Sequence, residues 1–410
     1  MTAKKLIGFA FCCLLSLYEA IAQPESVALS YPFLCNECNT FICNTQASKG
    51  YALLFQKFNE LILKGQGVVH IMQIGDSHIQ ADHFSGQMRH RIRQFMPGIA
   101  GSRGFVFPYR AAKTNNPDNY RVESEGSWSS CRNIQQVNCD MGISGITITT
   151  FDPNSKIRIQ LKNSENDFFD FNIVKVFHSF GDTSFVPDIQ PVNVVSEVKR
   201  FPKSGYTEFH LNQYAEEITI GFKALKESHK SVSVYGLSFE NEDPGVIYSS
   251  LGVNGAEVIS FLKCNLIQQQ LQVLSPDWII LSLGTNDAFG KGFVPGEFKR
   301  NYGLLIDRIR EALPNVPILL TTPPDSYRKK VNNPNMVIAG QAIKELAEEK
   351  NCAVWDLYLV MGGKGSMLKW LKSGLAAYDR VHFSVQGYRL QGNLLFDAFF
   401  NTYDKYIDSK

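Results

Sequence analysis

Between about Lys113 and Asp243 the apolar residues of this chain recur at every second position, as in the runs 145–150 (Gly-Ile-Thr-Ile-Thr-Thr), 155–161 (Ser-Lys-Ile-Arg-Ile-Gln-Leu), 217–221 and 231–236. Clusters of Asn, Asp, Gly and Pro separate the runs. A period of two turns alternate side chains to opposite faces, so each run has one face for a core and one for water, as two stacked antiparallel sheets require. On either side of this stretch the pattern changes. Upstream, Tyr51 to Lys64 carries apolar residues at three-and-four spacing and stops at Gly65-Gln-Gly67, which predicts an amphipathic helix. The run from Gly67 to Ile74 then reads as a buried strand, and about Asp82 to Phe95 as a polar helix. Downstream, helices are expected over Ala256–Leu274, Phe298–Leu313 and Gln341–Lys350, alternating with strands over Trp278–Leu283, Pro317–Thr322 and Ala353–Leu357. Strands alternating with helices build a parallel sheet. The fold class is therefore α/β, with an all-β sandwich inserted near 113–243 between hydrolase-like segments 23–112 and 244–410.

The chemistry sits where these strands end. Gly75-Asp76-Ser77 closes the first strand, and a distant Asp379-Arg-Val-His382 supplies an imidazole and a second carboxylate. Serine is a weak nucleophile unless a histidine takes its proton and a carboxylate fixes that histidine's tautomer. Ser77, His382 and Asp379 fill those roles. Between them lie Gly252-Val-Asn-Gly255-Ala and Gly284-Thr-Asn286-Asp287. Acyl transfer passes through a tetrahedral oxyanion, which is stabilised by a backbone N–H that glycine lets approach closely and by a side-chain amide. Gly255 and Asn286 fit, with Gly252 a rival to Gly255 that spacing does not separate.

The four blocks, in this order, resemble the SGNH hydrolases, the branch of the GDSL esterases named for its Ser, Gly, Asn and His. The stretch 74–82 (Ile-Gly-Asp-Ser-His-Ile-Gln-Ala-Asp) with Gly104-Phe-Val-Phe-Pro108 resembles in particular the bacterial peptidoglycan O-acetylesterases of that family. The resemblance implies a three-layer α/β/α parallel sheet carrying an inserted jelly-roll or sandwich. It also implies removal of acetyl esters from a cell-wall glycan, with Ser77 as nucleophile, His382 and Asp379 as the base pair, and the Ser77 N–H, Gly255 and Asn286 as oxyanion donors. The same site could transfer acetyl to a sugar, act on another acetylated polysaccharide, or survive in a non-catalytic glycan-binding protein. The insertion carries two readings, a carbohydrate-binding module and a packing or lid domain that touches no sugar.

Charge and composition exclude other classes. The net charge is +2 over 410 residues and no Lys/Arg run is long enough to track phosphates, so nucleic acid is not an expected partner. Lys4-Lys5, the apolar stretch Leu6–Leu17 and Ala20-Ile21-Ala22 read as an export signal over 1–22 cleaved before Gln23. Periplasmic or secreted localisation follows, with no stable membrane span after cleavage, since later apolar runs fall short of the roughly 18 residues needed. In an oxidising compartment, Cys131 with Cys139, or two of Cys35, Cys38 and Cys43, are expected to cross-link. Cys35-x-x-Cys38 lacks the second ligand pair of a zinc site, and no metal or cofactor is expected.

Several conspicuous residues receive structural readings. His78 is expected to cap or pack against the nucleophile loop, Asp76 to order that turn through backbone N–H groups, and Asp287 to do the same beside Asn286. Trp278, Trp355 and Trp370 are expected in the core, and Trp128 at the surface, where a sugar could stack.

Overall fold

The computed structural model describes residues 31–96, 101–136, 138–163 and 167–409. The expected export signal lies outside them. A six-stranded sheet runs in the order Phe41–Ile42, Ala353–Trp355, Ile318–Thr321, Trp278–Ser282, Val68–Gly75 and Gly245–Gly252. The short edge strand Phe41–Ile42 is antiparallel and the other five are parallel.

Both faces of this sheet are covered. Val69 and Ile71 point into one apolar cluster and Met72 and Ile74 into the other, and Trp278 and Ile280 are likewise divided from Ile279 and Leu281. That is why these strands read as continuous apolar runs instead of alternating ones. The helices Thr45–Lys64, His83–Phe95 and Val385–Asp408 cover one face, and Ile267–Leu274, Pro295–Ala312 and Asn335–Lys350 the other. The result is the α/β/α layering. Among the described residues no helix is long and apolar enough to cross a membrane.

The expected helix over Ala256–Leu274 is two helices, Val258–Leu262 and Ile267–Leu274. The break falls where Asn265 accepts the Met141 N–H at 2.8 Å and the Leu266 N–H donates to the Met141 carbonyl at 3.0 Å. A passing segment of the β region thus captures groups that would have continued the helix.

The inserted layers are two antiparallel sheets. One runs in the order Val195–Phe201, Tyr206–Ala215, Phe171–His178, Val232–Glu240, Ile146–Thr150 and Ser129–Arg132, and the other Tyr120–Glu125, Lys156–Leu161, Glu217–Lys223 and Val186–Gln190. Their inward residues, among them Val174, Val234, Ile159 and Ile220, belong to the same buried cluster as Met72 and Leu281 of the parallel sheet. A further strand, Gly104–Val106, pairs with Val232–Glu240, so the antiparallel layer recruits chain ahead of residue 113. Cys35–Cys38 and Cys131–Cys139 are disulfide-bonded, and Cys43, Cys264 and Cys352 are free thiols.

Candidate active site

The strand order reverses at Val68–Gly75: the chain next enters the sheet at Gly245–Gly252 on one side, then crosses to Trp278–Ser282 on the other. Such a switch point opens a crevice at the carboxyl ends of the strands. Ser77, Gly255 and Asn286 follow the ends of these three adjacent strands. The sequence separates them by up to 209 positions, and the sheet brings them together.

Ser77 opens the short helix Ser77–Gln80, where Asp76 is the N-cap and accepts the His78 N–H at 2.9 Å. Ser77 Oγ lies 2.9 Å from His382 Nε2, and His382 Nδ1 lies 2.7 Å from Asp379 Oδ2. With the Nδ1–H donated to Asp379, Nε2 is left to accept from the serine hydroxyl. The histidine comes from a closed loop: Ala376 bridges Phe383, the Ala377 N–H donates to the His382 carbonyl at 2.9 Å, and Ser384 caps the following helix through the Gly387 N–H. Partial burial works to raise the Asp379 pKa. The bonds it accepts from the His382 ring and from the His382 and Val381 N–H groups outweigh that, so it lies below the usual carboxylate value. The side chains of His382 and Asp379 are 41% and 51% exposed, so water reaches them.

The two glycines are distinct. Gly252 ends its strand with its N–H 3.4 Å from the Tyr109 hydroxyl, which in turn donates to the Gly252 carbonyl at 3.0 Å. A Cβ there would lie 2.3 Å from the Gln80 nitrogen. Gly255 sits at φ +80° with open space where a Cβ would be, and its N–H has no partner among the described residues. The flanking Asn254 N–H donates to Gln80 Oε1 at 2.8 Å. Gln80 is itself held by Thr114 and Asn115, at 3.0 and 2.9 Å. Gln80 therefore orients the Gly255 turn, a contact across 174 positions that no sequence signal marks.

Asn286 Nδ2 donates to Asp76 Oδ2 at 3.1 Å and to the Ala256 carbonyl at 3.0 Å. Asp287 accepts the Val258 N–H at 3.0 Å. Burial pushes both Asp76 and Asp287 up to about 7, against the opposing bonds they accept from backbone N–H groups. His78 is buried, with Nδ1 3.0 Å from the Tyr388 hydroxyl and its ring 5.2 Å from that of His382. Burial, with the nearby His382, pushes its pKa down to about 3, so it is neutral.

Trp278, Trp355 and Trp370 are fully buried. Trp128 corrects the expectation: it is 9% exposed, packs edge-on against Phe222 with centroids 5.6 Å apart, and donates its indole N–H to the Glu125 carbonyl. Its polar flanks are a turn over the sandwich core, and they masked an inward ring. Cys35, Glu37 and Cys38 are the metal-type cluster found among the described residues, and the two sulfurs are bonded to each other.

Residues 218–390 match the GDSL-like lipase/acylhydrolase family, a span that holds Gly255, Asn286, Asp379 and His382 but not Ser77. A solved peptidoglycan O-acetylesterase structure superposes with a TM-score of 0.74 at 22% identity, covering 89% of this chain and 99% of that one. At that identity the likeness speaks to the fold, and the coverage takes in the antiparallel sheets. A lipase/acylhydrolase from Enterococcus faecalis is 24% identical and covers 39% of this chain and 77% of that one, with a TM-score of 0.31. An acetylxylan esterase from Geobacillus stearothermophilus is 25% identical, covering 39% and 73%, also with a TM-score of 0.31. No curated protein matches the chain.

Proposed function

We propose, from the premise that the chain belongs to the GDSL/SGNH hydrolase family, that this esterase removes O-acetyl groups from a cell-wall glycan and acts as an exported peptidoglycan O-acetylesterase. One observation carries the reaction type: the unbroken relay from Ser77 Oγ through His382 to Asp379, at 2.9 and 2.7 Å. His382 Nε2 takes the serine proton as Oγ attacks the acetyl carbonyl, and the carbonyl π pair moves to oxygen. The Ser77 and Gly255 N–H groups and the Asn286 amide receive that oxyanion. Asn286 reaches it by exchanging its bond to the Ala256 carbonyl. Collapse expels the sugar oxygen, which takes the proton from His382 and leaves as the free hydroxyl, and water then hydrolyses the acetyl-serine by the same steps in turn.

The exposure of His382 and Asp379 supports water as the acceptor over a second sugar. The extended fold likeness to a peptidoglycan O-acetylesterase, insertion included, supports the substrate. Periplasmic or secreted localisation rests on the N-terminal segment, and two disulfides agree with an oxidising compartment.

The test is acetate release from O-acetylated peptidoglycan by wild type and Ser77→Ala, beside acetylated xylan and a chromogenic acetyl ester. Ser77→Ala should lose about 10⁵–10⁶ of turnover. Release from xylan or the small ester alone would keep the mechanism and reject the substrate. Wild-type turnover in Ser77→Ala would reject the nucleophile.

A further inference from the structure

A cavity beside the histidine loop has a basic rim. After strand Ile318–Thr321 the chain doubles back in a hairpin, Tyr327–Arg328 with Val331–Asn332. Pairing of Arg328 with Val331 leaves Lys329 and Lys330 as a two-residue loop, at φ +49° and +68°. Two positive φ values in succession are the type I′ geometry, which Asn-Gly adopts readily and side chains bearing a Cβ resist. Nothing in the packing compensates, because both lysines are exposed and neither meets a carboxylate among the described residues. Strain held without a packing reason points to the side chains themselves.

The hairpin is fastened to the histidine loop. Its Tyr327 N–H donates to the Arg380 carbonyl at 2.9 Å, and the Arg380 guanidinium lies 5.9 Å above the Tyr327 ring. On its other side a cavity of about 510 Å³ separates it from the segment that follows the Asn286 helix. Asn335 braces that segment by donating to the Ala288 and Gly290 carbonyls. The charged residues lining the cavity are Lys291, Arg328 and Lys329, with no carboxylate among them. The nearby acids are committed elsewhere: Asp379 to His382, and Asp325 to Asn332 and the Met367 N–H. A chain whose net charge is only +2 thus places Lys291, Arg328 and Lys329 around one cavity, with Lys330 in the same hairpin loop and Arg380 in the adjoining histidine loop. A cleft lined by one sign of charge raises the local concentration of the opposite one.

We infer that this rim is a subsite for carboxylate groups on the glycan, so that the enzyme selects an acidic, carboxylate-bearing polymer over a neutral acetylated one. The inference rests on the esterase reading and names the substrate class for it.

The experiment measures kcat and KM on O-acetylated peptidoglycan, whose peptide carboxylates supply the anion, against neutral acetylated xylan, at low and high salt. For wild type, KM on the acidic polymer should rise about tenfold with salt while KM on xylan stays level. Lys329→Asn/Lys330→Gly places the favoured type I′ pair in the loop, so the protein should melt no lower than wild type. Its KM on peptidoglycan should still rise about tenfold, the scale of one charge-assisted bond, with kcat held. Lys291→Gln, on the far wall of the cavity, should do the same. Co-sedimentation of Ser77→Ala with de-O-acetylated peptidoglycan reads the rim without the reaction. Binding that ignores both salt and these substitutions would overturn the subsite, whatever the acetate assay shows. Absence of acetate release with salt-sensitive sedimentation intact would overturn the esterase reading and leave the subsite standing.

Discussion

Asn286 Nδ2 lies 3.1 Å from Asp76 Oδ2, which joins the residue before the candidate nucleophile to the side chain proposed as an oxyanion donor. Its other amide proton goes to Ala256, the neighbour of Gly255, at 3.0 Å. One side chain therefore spaces all three proposed donors. Asn286→Ala is expected to lower kcat on a chromogenic acetyl ester by about 10²–10³ with little change in KM. A loss confined to KM would assign the residue to substrate binding instead.

The carboxyls on either side of this amide, Asp76 buried and Asp287 half-buried, make stability depend on pH. Asp76 and Asp287 are raised from 3.8 to about 7 in the folded protein, so folding favours their protonated forms. Their contribution is whole below about pH 4 and is lost as pH rises through 7. Asp287→Asn keeps an acceptor for the Val258 N–H and does not ionise. Wild type should lose more stability than this variant between pH 5 and 9, by about 1–4 kcal/mol in chemical unfolding. Parallel stability curves would show that Asp287 ionises freely in the native state.

The parts of the fold legible in the sequence are those set by local periodicity. Val68–Gly75 and Trp278–Ser282 show as apolar runs because helices cover both their faces, and Lys156–Leu161 alternates because one face meets water. Ser77, Asn286 and His382 stand out because their blocks combine unusual turn residues with reactive groups. What stayed hidden depends on partners distant in sequence. Gly104–Val106 is too short to announce the strand it pairs with, and Gln80 gains its role only once Asn115 and Asn254 are beside it. The break between Leu262 and Ile267 needs Met141 to supply the competing bonds. The Lys329-Lys330 turn lacks the Asn-Gly signature by which such hairpins are recognised.

A buried charge network holds the corner after the Ser77 helix. Asp82, at φ +61°, accepts from Arg89 at 3.0 and 3.2 Å, from Ser250 at 2.6 Å and from Ser85, with Arg103 3.5 Å away. Burial opposes the charge, but the two guanidiniums overcome it and bring the Asp82 pKa down to about 2. Its contribution is present above about pH 4 and lost only as pH falls through 2. Asp82→Ala leaves two buried cations without their carboxylate and should cost about 3–5 kcal/mol in urea unfolding. A cost under about 1 kcal/mol would mean that water or a neighbouring acceptor replaces it.

The two glycines of the 252–255 turn should fail for different reasons when changed to alanine. At Gly252 the added methyl would sit 2.3 Å from the Gln80 nitrogen and 2.6 Å from the Asp76 carbonyl, and backbone cannot yield as a flexible side chain does. Gly252→Ala must push the Ser77 helix out of place, so both stability and activity should fall. At Gly255 the methyl meets nothing, and the cost is that of a positive φ alone, about 1–2 kcal/mol. If the turn keeps its shape, the Gly255 N–H stays where it is and kcat changes little. If the strain flips the peptide, the donor is lost and kcat falls by about 10²–10³ while the rest of the protein stays folded. Measuring melting temperature and kcat for both variants separates these cases. A Gly252→Ala enzyme with wild-type turnover would show that the strand end and the Ser77 helix are not packed as tightly as these distances require.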